Sequence, residues 1–341
     1  TEEEPLMRKI IMMISMIILI VTIIPTLIVL PFSSSSESSI EQKTVEPNDI
    51  QVIVPVYRTL EKQVENVEIE QYVAGVLSSE MPAEFELEAL KAQAMAARTY
   101  IVQHLLSPPD IELPDEAIVT DTVHHQVYRN EDDFKELWGN DYEWKYERIT
   151  QAVNETKGQI LTYENEPITA SFFSTSNGYT ENSGDYWENN VPYLKSVESP
   201  WDEQSPKFET TEQRTVTEIE QQLNVTLPNE ETIAHIKRRT AGNRIAEVEI
   251  GGKTFTGREV REQLNLNSSD FSMQRDGNVV TITTRGYGHG VGMSQYGANG
   301  MARQGKTAEE IVTYYYQGIA IENVTEFETQ LAYHVHTLTK K

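Results

Sequence analysis

An apolar segment near the start of the chain, residues 10–30, most constrains what this sequence can fold into. As a helix it would be about 30 Å long, which matches the hydrocarbon core of a bilayer. Arg8 and Lys9 precede it directly, so the positive-inside rule places residues 1–9 in the cytosol and the remainder outside. A cleaved signal peptide is the alternative, but the run is long for an h-region and no A-x-A site follows. We therefore expect a transmembrane helix at 10–30.

The charge and the cysteine content exclude several classes of protein. The chain has 28 basic and 53 acidic residues, and its net charge of −25 argues against nucleic-acid binding, which needs a basic face. It has no cysteine, which excludes a disulfide framework, a thiol nucleophile and a thiolate zinc site. His124 and His125 are adjacent and would point to opposite faces of a strand, and no HExxH spacing occurs. We expect neither a metal nor a cofactor.

Helical periodicity is strongest between residues 68 and 106. Apolar residues from Ile69 to Leu77 are spaced along one face, and Pro82 should end this first helix at or near Met81. A second helix follows at once, rich in alanine, and ends before a pair of prolines. Its small side chains let another element approach closely, so we expect it to be buried.

Glu80 is the candidate catalytic residue. It lies at the predicted C-terminal end of the first helix, where exposed carbonyls disfavour an ionised carboxylate. The apolar neighbours Leu77 and Met81 would add a desolvation effect in the same direction. A carboxylic acid that keeps its proton can protonate a leaving oxygen, as the acid of a glycosidase does. The alternative is a solvated surface carboxylate, as most acidic side chains are.

Three further places offer polar groups for a ligand. Arg98, on the small apolar surface of the second helix, either pairs with a buried carboxylate or orients a substrate group. Ser174 opens a hydroxyl-rich turn that extends to Thr180 and directly follows a predicted strand. A segment with glycine at every second position carries His289 and Gln295 as its chemically useful side chains.

Several of these blocks occur together in one order: Glu70–Val76, Ser79–Pro82, Lys91–Thr99, Pro192–Leu194 and Gly288–Ala298. In that combination the sequence resembles the stage II sporulation protein D family over about residues 50 to 325. The resemblance implies a membrane-anchored lytic transglycosylase, which cuts peptidoglycan glycan strands while the forespore of an endospore-forming bacterium is engulfed. The strands it acts on are those whose stem peptides have been removed.

The resemblance also implies particular residues and partners. The family's catalytic glutamate falls on Glu80, and the matching positions that matter to activity are Arg98, Thr180, Tyr193 and Lys195. To these substrate-binding candidates we add Ser174, His289 and Gln295. The implied partners are a sporulation amidase and a further membrane protein, and the implied location is the mother-cell membrane, with the ectodomain facing the septal wall. Some relatives carry a zinc site that uses cysteines, which this chain lacks.

The predicted fold class is α+β, with an N-terminal single transmembrane helix followed by a mixed α/β ectodomain of two lobes with a cleft between them. The predicted segments are a cytosolic tail at 1–9, the transmembrane helix at 10–30, a flexible linker at 31–49, the catalytic ectodomain at 50–328 and a C-terminal tail at 329–341.

Two rival functions stay open. A hydrolytic muramidase would need a second carboxylate near Glu80, for which Asp202 and Glu181 are candidates, and would produce reducing ends. A non-catalytic scaffold that binds peptidoglycan would use the same aromatic and hydroxyl groups without any need for an acid at position 80.

Overall fold

The structure is a computed structural model and describes residues 52–108, 113–114, 117–187, 189–327 and 331. These residues belong to one compact unit of mixed α/β build. The strands are β1 (Ile53–Arg58), β2 (Gln63–Glu68), β3 (Val119–Thr120), β4 (Gln159–Tyr163), β5 (Glu166–Pro167), β6 (Phe172–Phe173), β7 (Glu209–Thr215), β8 (Ala234–Arg239), β9 (Ile245–Ile250), β10 (Lys253–Phe255), β11 (Phe271–Asp276), β12 (Val279–Arg285), β13 (Met293–Ser294) and β14 (Ala320–Asn323). The α-helices are α1 (Ile69–Glu80), α2 (Leu87–Leu106), α3 (Glu131–Trp138), α4 (Tyr142–Glu155), α5 (Ser183–Tyr186), α6 (Val216–Leu223), α7 (Gly257–Gln263), α8 (Gln295–Arg303) and α9 (Ala308–Tyr315).

The predicted fold class is wrong in its membrane-spanning helix. Within the part of the chain that the structure describes, no helix is both long and apolar enough to cross a bilayer. The 20-residue α2 has the length but carries Glu88, Lys91 and Arg98, and charged side chains are costly in hydrocarbon. The segment 10–30, on which the spanning helix was predicted, lies outside the described residues. So do the predicted tail at 1–9, the linker at 31–49 and, apart from Leu331, the tail at 329–341.

A hairpin leads directly into α1. Strands β1 and β2 pair antiparallel, with Ile53 opposite Glu68, and β3 runs parallel to β1 on its other edge. The Glu68 carboxylate then accepts the backbone N–H groups of Glu70 and Gln71, at 2.8 and 3.0 Å. Because these donors have no partner inside the helix, the cap fixes where α1 begins.

The alanine-rich α2 is the centre of the larger hydrophobic cluster. It contacts α1, α4, α8, α9 and β4, as its small side chains predict. Its fully buried alanines are Ala89, Ala92, Ala94, Ala96 and Ala97. The cluster draws on both ends of the described chain, from Val52 to Leu331.

A second, smaller hydrophobic cluster is formed by residues 216–282. Two three-stranded antiparallel sheets, in the orders β11-β12-β7 and β10-β9-β8, pack there with α6 and α7. Ile219, Val248 and Ile282 are fully buried at its centre. The chain therefore leaves the larger cluster, builds the smaller one and returns through residues 286–294.

A close approach at Gly75 seats loop 121–130 on α1. A Cβ at this glycine would lie 2.5 Å from the carbonyl oxygen of Arg129 and 2.5 Å from the ring of Tyr128. The Tyr128 ring stacks on Tyr72 of α1, with centroids 5.4 Å apart. The absence of a side chain at position 75 is thus what allows the loop to lie against the helix.

We predict that Gly75→Ala destabilises the fold by about 1–3 kcal/mol, because the added methyl overlaps both the loop backbone and a buried ring. Urea unfolding measures the change. The matched control is Gly184→Ala, where the nearest atom to the new Cβ lies at 3.5 Å, an ordinary contact. Equal stability of the two variants would contradict the packing described for Gly75.

Candidate functional site

Glu80 is the last residue of α1, at the point where this helix meets loop 121–130. The backbone N–H of Val127 donates to the Glu80 carboxylate. The preceding residue of the loop, Gln126, accepts the Tyr72 hydroxyl at 3.3 Å through its amide oxygen. The loop therefore encloses the helix end and leaves the Glu80 side chain only partly exposed.

The surroundings of Glu80 favour its protonated form. Burial raises the pKa of the Glu80 carboxyl, and the hydrogen bond from Val127 offsets only part of that rise. Burial also raises the pKa of the neighbouring Tyr72 well above its usual value, with smaller contributions from nearby groups that include Glu80. The sequence predicted that the helix end and the apolar neighbours would both raise the pKa of Glu80. The burial observed in the structure acts in the same direction.

Gln295 holds the main chain of Glu80 in place. Its Nε2 donates to the Glu80 carbonyl oxygen at 3.1 Å. Gln295 is the first residue of α8, and Ser294 caps that helix by accepting the Gly297 N–H at 3.2 Å. The predicted substrate-binding residue Gln295 therefore contacts the candidate acid through its backbone.

A buried carboxylate, Asp202, fixes the start of α8. It accepts the hydroxyls of Ser294 at 2.6 Å and Ser199 at 2.6 Å, and both the hydroxyl and the N–H of Ser176, at 2.8 and 3.0 Å. Burial raises the Asp202 pKa, and these hydrogen bonds oppose that rise. The same carboxylate thus joins the turn after β6, the turn at residue 199 and the beginning of α8.

Arg98 lies away from Glu80, at the other end of α1. Its side chain is fully buried and pairs with Glu70, the shortest contact being 2.5 Å between Nη2 and Oε2. Its Nη1 donates to the carbonyl oxygen of Gln159 at 3.1 Å. The pairing with a carboxylate, here the partly buried Glu70, is the structural alternative to substrate binding, and a guanidinium with no exposed surface is not placed to bind a glycan.

Three other predicted residues meet on the segment 180–195. The Thr180 hydroxyl is buried, donates to the Lys195 carbonyl oxygen at 3.2 Å and accepts the Val197 N–H at 2.8 Å. Lys195 Nζ lies at 3.0 Å from the amide oxygen of Asn190, on the surface. The Tyr193 hydroxyl accepts the N–H of Thr169 at 2.8 Å. Thr180 therefore shapes this segment, while Lys195 and Tyr193 remain partly exposed.

His289 and Ser174 flank the parallel pair of β6 and β13. The His289 ring lies among the rings of Phe173, Tyr186 and Trp187, with centroids 5.7 to 5.8 Å away. Burial lowers the pKa of His289 to about 4, so the ring is neutral near pH 7. The Ser174 carbonyl accepts the Tyr296 N–H at 3.0 Å, which ties its backbone to α8.

Neither candidate for a second catalytic carboxylate is accessible. Asp202 is fully enclosed by serines, and Glu181 is 1% exposed. The Glu181 Oε1 accepts the Thr240 hydroxyl at 2.8 Å and lies 3.7 Å from Arg244 Nη1. Both side chains are thus committed to contacts inside the protein, and neither can activate water beside Glu80.

Sequence reasoning missed the groups that surround Glu80 from the other side. Tyr72 comes from α1, whereas Gln126 and the Val127 N–H come from loop 121–130, where the sequence had suggested a strand through His124 and His125 but the strand ends at Thr120. Only the fold brings these groups together. Gln126 Nε2 is buried and has no hydrogen-bond partner among the described residues. No three His, Asp or Glu side chains in that described part come together as a metal site, and the expectation of no metal stays a prediction.

Comparison with known proteins identifies the family. A family model described as stage II sporulation protein matches residues 57–163, which include α1, α2 and Glu80. The stage II sporulation protein D of Bacillus subtilis (strain 168) is 48% identical over 335 residues, covering 94% of this chain and 98% of the relative. Its counterpart in Bacillus amyloliquefaciens is 47% identical over 336 residues, with the same coverage. The amidase enhancer of B. subtilis (strain 168) is 29% identical over 301 residues, covering 72% of this chain and 40% of the relative.

These relatives match a mixed α/β domain in which Glu80, a partly buried acid, ends a helix. The chain belongs to the stage II sporulation protein D family, as the sequence motifs predicted.

The buried ion pair gives a test of what Arg98 does. Replacing its partner, Glu70→Gln, leaves the guanidinium without a counter-charge, so we expect a loss of about 3–5 kcal/mol in the free energy of unfolding. Arg98→Met should also destabilise, and the effects of the two substitutions should be far from additive in a double-mutant cycle. If Arg98 instead bound ligand, Glu70→Gln would leave stability unchanged.

The raised pKa of Glu80 predicts how this residue affects stability as pH changes. The folded protein holds the Glu80 proton more tightly than the unfolded chain does. The protonated Glu80 therefore makes its full contribution to the free energy of unfolding at low pH. It is lost as pH rises through the window between the ordinary carboxyl pKa and the raised one. Glu80→Gln removes this loss, and the variant should therefore be more stable than the parent above the window and no more stable below it.

Urea unfolding at pH values on either side of the window measures this difference. Glu84→Gln is the control, because the Glu84 carboxylate is exposed and lies 3.1 Å from Lys145 on the surface. A Glu80→Gln effect that does not change with pH would contradict the burial of the acid.

Proposed function

We propose that this protein is a lytic transglycosylase that cuts the bond between N-acetylmuramic acid and N-acetylglucosamine in peptidoglycan glycan strands. The observation that carries the proposal is the position of Glu80 at the end of α1 beside loop 121–130, a partly exposed carboxyl group whose pKa is raised by burial. A group of this kind suits the protonation of a glycosidic oxygen. The family relationship and the motif around Glu80 support the same reading.

One carboxyl group is enough for the reaction. Glu80 gives its proton to the bridging oxygen as the bond from that oxygen to C1 of the muramic acid breaks. The C6 hydroxyl oxygen of the same sugar then bonds to C1, and its proton passes to Glu80, which restores the acid. No water is consumed, and the product is a 1,6-anhydromuramic end.

The inaccessible second carboxylates favour this reaction over hydrolysis. An inverting muramidase needs a second carboxylate to activate water, and a retaining one needs it as a nucleophile. Glu181 and Asp202 are buried and already hydrogen-bonded. A transglycosylase that uses an internal hydroxyl requires neither.

Residues around Glu80 are suited to two further tasks, which are to position the acid and to hold the substrate. Gln295 and Val127 position Glu80, through its carbonyl and its carboxylate respectively. Tyr193 and Lys195 remain partly exposed and are available to hold sugar hydroxyl groups or a substrate charge. The observed packing of Thr180 supports a role in shaping segment 180–195.

The biological setting is part of the proposal. The substrate lies outside the cytoplasm, so we infer that the protein acts there, at the septal wall, during sporulation. Its relationship to an amidase enhancer supports a cell-wall amidase as a partner. Such an amidase would remove stem peptides and supply peptide-free strands, and a further membrane protein remains part of the proposed assembly.

The test is digestion of peptide-free glycan strands by the full-length chain, with mass spectrometry of the fragments. We expect anhydromuramic ends, and we expect Glu80→Gln to lower their rate of release by about 10²–10⁴-fold, because proton transfer by the acid is lost. Glu84→Gln is again the matched control and should keep the parental rate.

Each rival function has its own result in the same assay. Reducing ends would select a hydrolytic muramidase, and intact strands that stay bound would select a scaffold. Undiminished release of anhydro ends by Glu80→Gln would remove Glu80 from the mechanism.

A further inference from the structure

The residue that donates to Glu80 lies between two residues that Tyr72 holds. The Val127 N–H donates to the Glu80 carboxylate. On one side of Val127, the Gln126 amide oxygen accepts the Tyr72 hydroxyl at 3.3 Å. On the other side, the Tyr128 ring stacks on the Tyr72 ring, with centroids 5.4 Å apart and an interplanar angle of 14°. A single side chain of α1 thus holds the loop just before and just after the donor.

Gln126 depends on the Tyr72 hydroxyl for its position. The Gln126 side chain is 3% exposed, and its Nε2 has no hydrogen-bond partner among the described residues. Within that part of the chain, the Tyr72 hydroxyl is therefore the group that fixes its amide. Because a buried amide without partners is costly, loss of the hydroxyl should turn Gln126 towards water. Val127 follows directly in the chain, so its N–H would be displaced as well.

Tyr128 has further contacts that do not involve this hydroxyl. The guanidinium carbon of Arg58 lies 5.4 Å from the Tyr128 ring centroid. The same ring packs against the bare backbone of α1 at Gly75, where an added Cβ would lie 2.5 Å from it. Stacking on Tyr72 needs only the ring of that residue. The hydroxyl can thus be removed while Tyr128 still docks the loop on the helix.

Tyr72 and Glu80 lie on the same helix, eight residues or about 12 Å apart along its axis. The Tyr72 side chain is fully buried. The titratable groups that face it are Tyr100 of α2, Tyr128 of the loop and Glu80 itself. Burial raises the pKa of Tyr72 well above its usual value, so the hydroxyl keeps its proton and remains a donor near pH 7.

We propose that Tyr72 is a positioning residue for the reaction of Glu80. By holding both neighbours of Val127, it aims the N–H of that residue at the Glu80 carboxyl group. This rests on the proposed function, in which Glu80 gives up a proton and becomes a carboxylate. A donor that is already in place stabilises this charge as it develops. Tyr72 has no exposed surface with which to contact a glycan, so it acts through the loop.

The first test measures the pKa of Glu80 in the full-length chain without substrate. The carboxyl carbons of isotope-labelled glutamate are titrated by NMR, and the Glu80 signal is the one that Glu80→Gln removes. Tyr72→Phe keeps the ring and loses the hydroxyl. We expect it to raise the pKa of Glu80 above that of the parent, because the Val127 N–H no longer favours the ionised form. Gln126→Met should have the same effect, and the double variant should add little to either.

The second test measures digestion of peptide-free glycan strands. We expect Tyr72→Phe to lower kcat about tenfold with KM nearly unchanged, because the lost interaction is made as Glu80 becomes charged. The basic limb of the pH–rate profile should move to higher pH, in step with the pKa of Glu80. A residue that only stabilised the fold would not move this profile.

Tyr314→Phe is the matched control, since it also removes one tyrosine hydroxyl. That hydroxyl donates to the Glu198 carbonyl oxygen at 2.7 Å and belongs to α9. The control should keep the parental pKa of Glu80 and the parental kcat. Circular dichroism checks that every variant is folded. If Tyr72→Phe does not fold, Gln126→Met carries the test, because it leaves the stacked rings of Tyr72 and Tyr128 intact.

The results separate this proposal from the proposed activity. An unchanged pKa of Glu80 in folded Tyr72→Phe and Gln126→Met would overturn the role of Tyr72, even if the parent cuts strands. A raised pKa with an unchanged kcat and pH–rate profile would also overturn it. A raised pKa in both variants of a protein that cuts nothing would support the placement of the acid by Tyr72 and overturn the transglycosylase.

Discussion

The arrangement of the site depends on the hydrogen bonds that the buried Asp202 carboxylate accepts from three serines. Hydrogen bonds from Ser176, Ser199 and Ser294 stabilise this carboxylate. Ser294 precedes Gln295, whose amide holds the backbone of Glu80. A buried carboxylate that depends on hydrogen bonds tolerates little movement of its donors. The position of the acid is thus linked to a network that never contacts substrate.

Local patterns predicted the helical part of this site well. The spacing of apolar residues and Pro82 placed the end of α1 within a residue, and the alanine content predicted the burial of α2. The sequence also offered a carboxylate partner as one role for Arg98, and the structure supplies it as the partly buried Glu70. These successes share a cause, because helix ends and helix faces are decided by neighbours in sequence.

Pairing between distant segments could not be predicted in the same way. Strand β4 pairs with the two-residue β5, which follows it closely, but β6 pairs in parallel with β13, more than a hundred residues away. The contact of loop 121–130 with α1 is equally non-local. The membrane-spanning helix was inferred from hydropathy alone, and the described fold contains no such helix.

The capping and pairing of α1 at its two ends have a consequence for how such a protein can diverge. Glu70 and Glu80 are separated by ten residues of helix, about 15 Å along its axis. Glu70 pairs with Arg98 and accepts the Gly158 N–H, whereas Glu80 is held by Val127 and Gln295, so different partners hold the two ends. Substitutions near Glu80 can therefore change the pKa of this acid without removing the ion pair between Arg98 and Glu70 at the start of the helix.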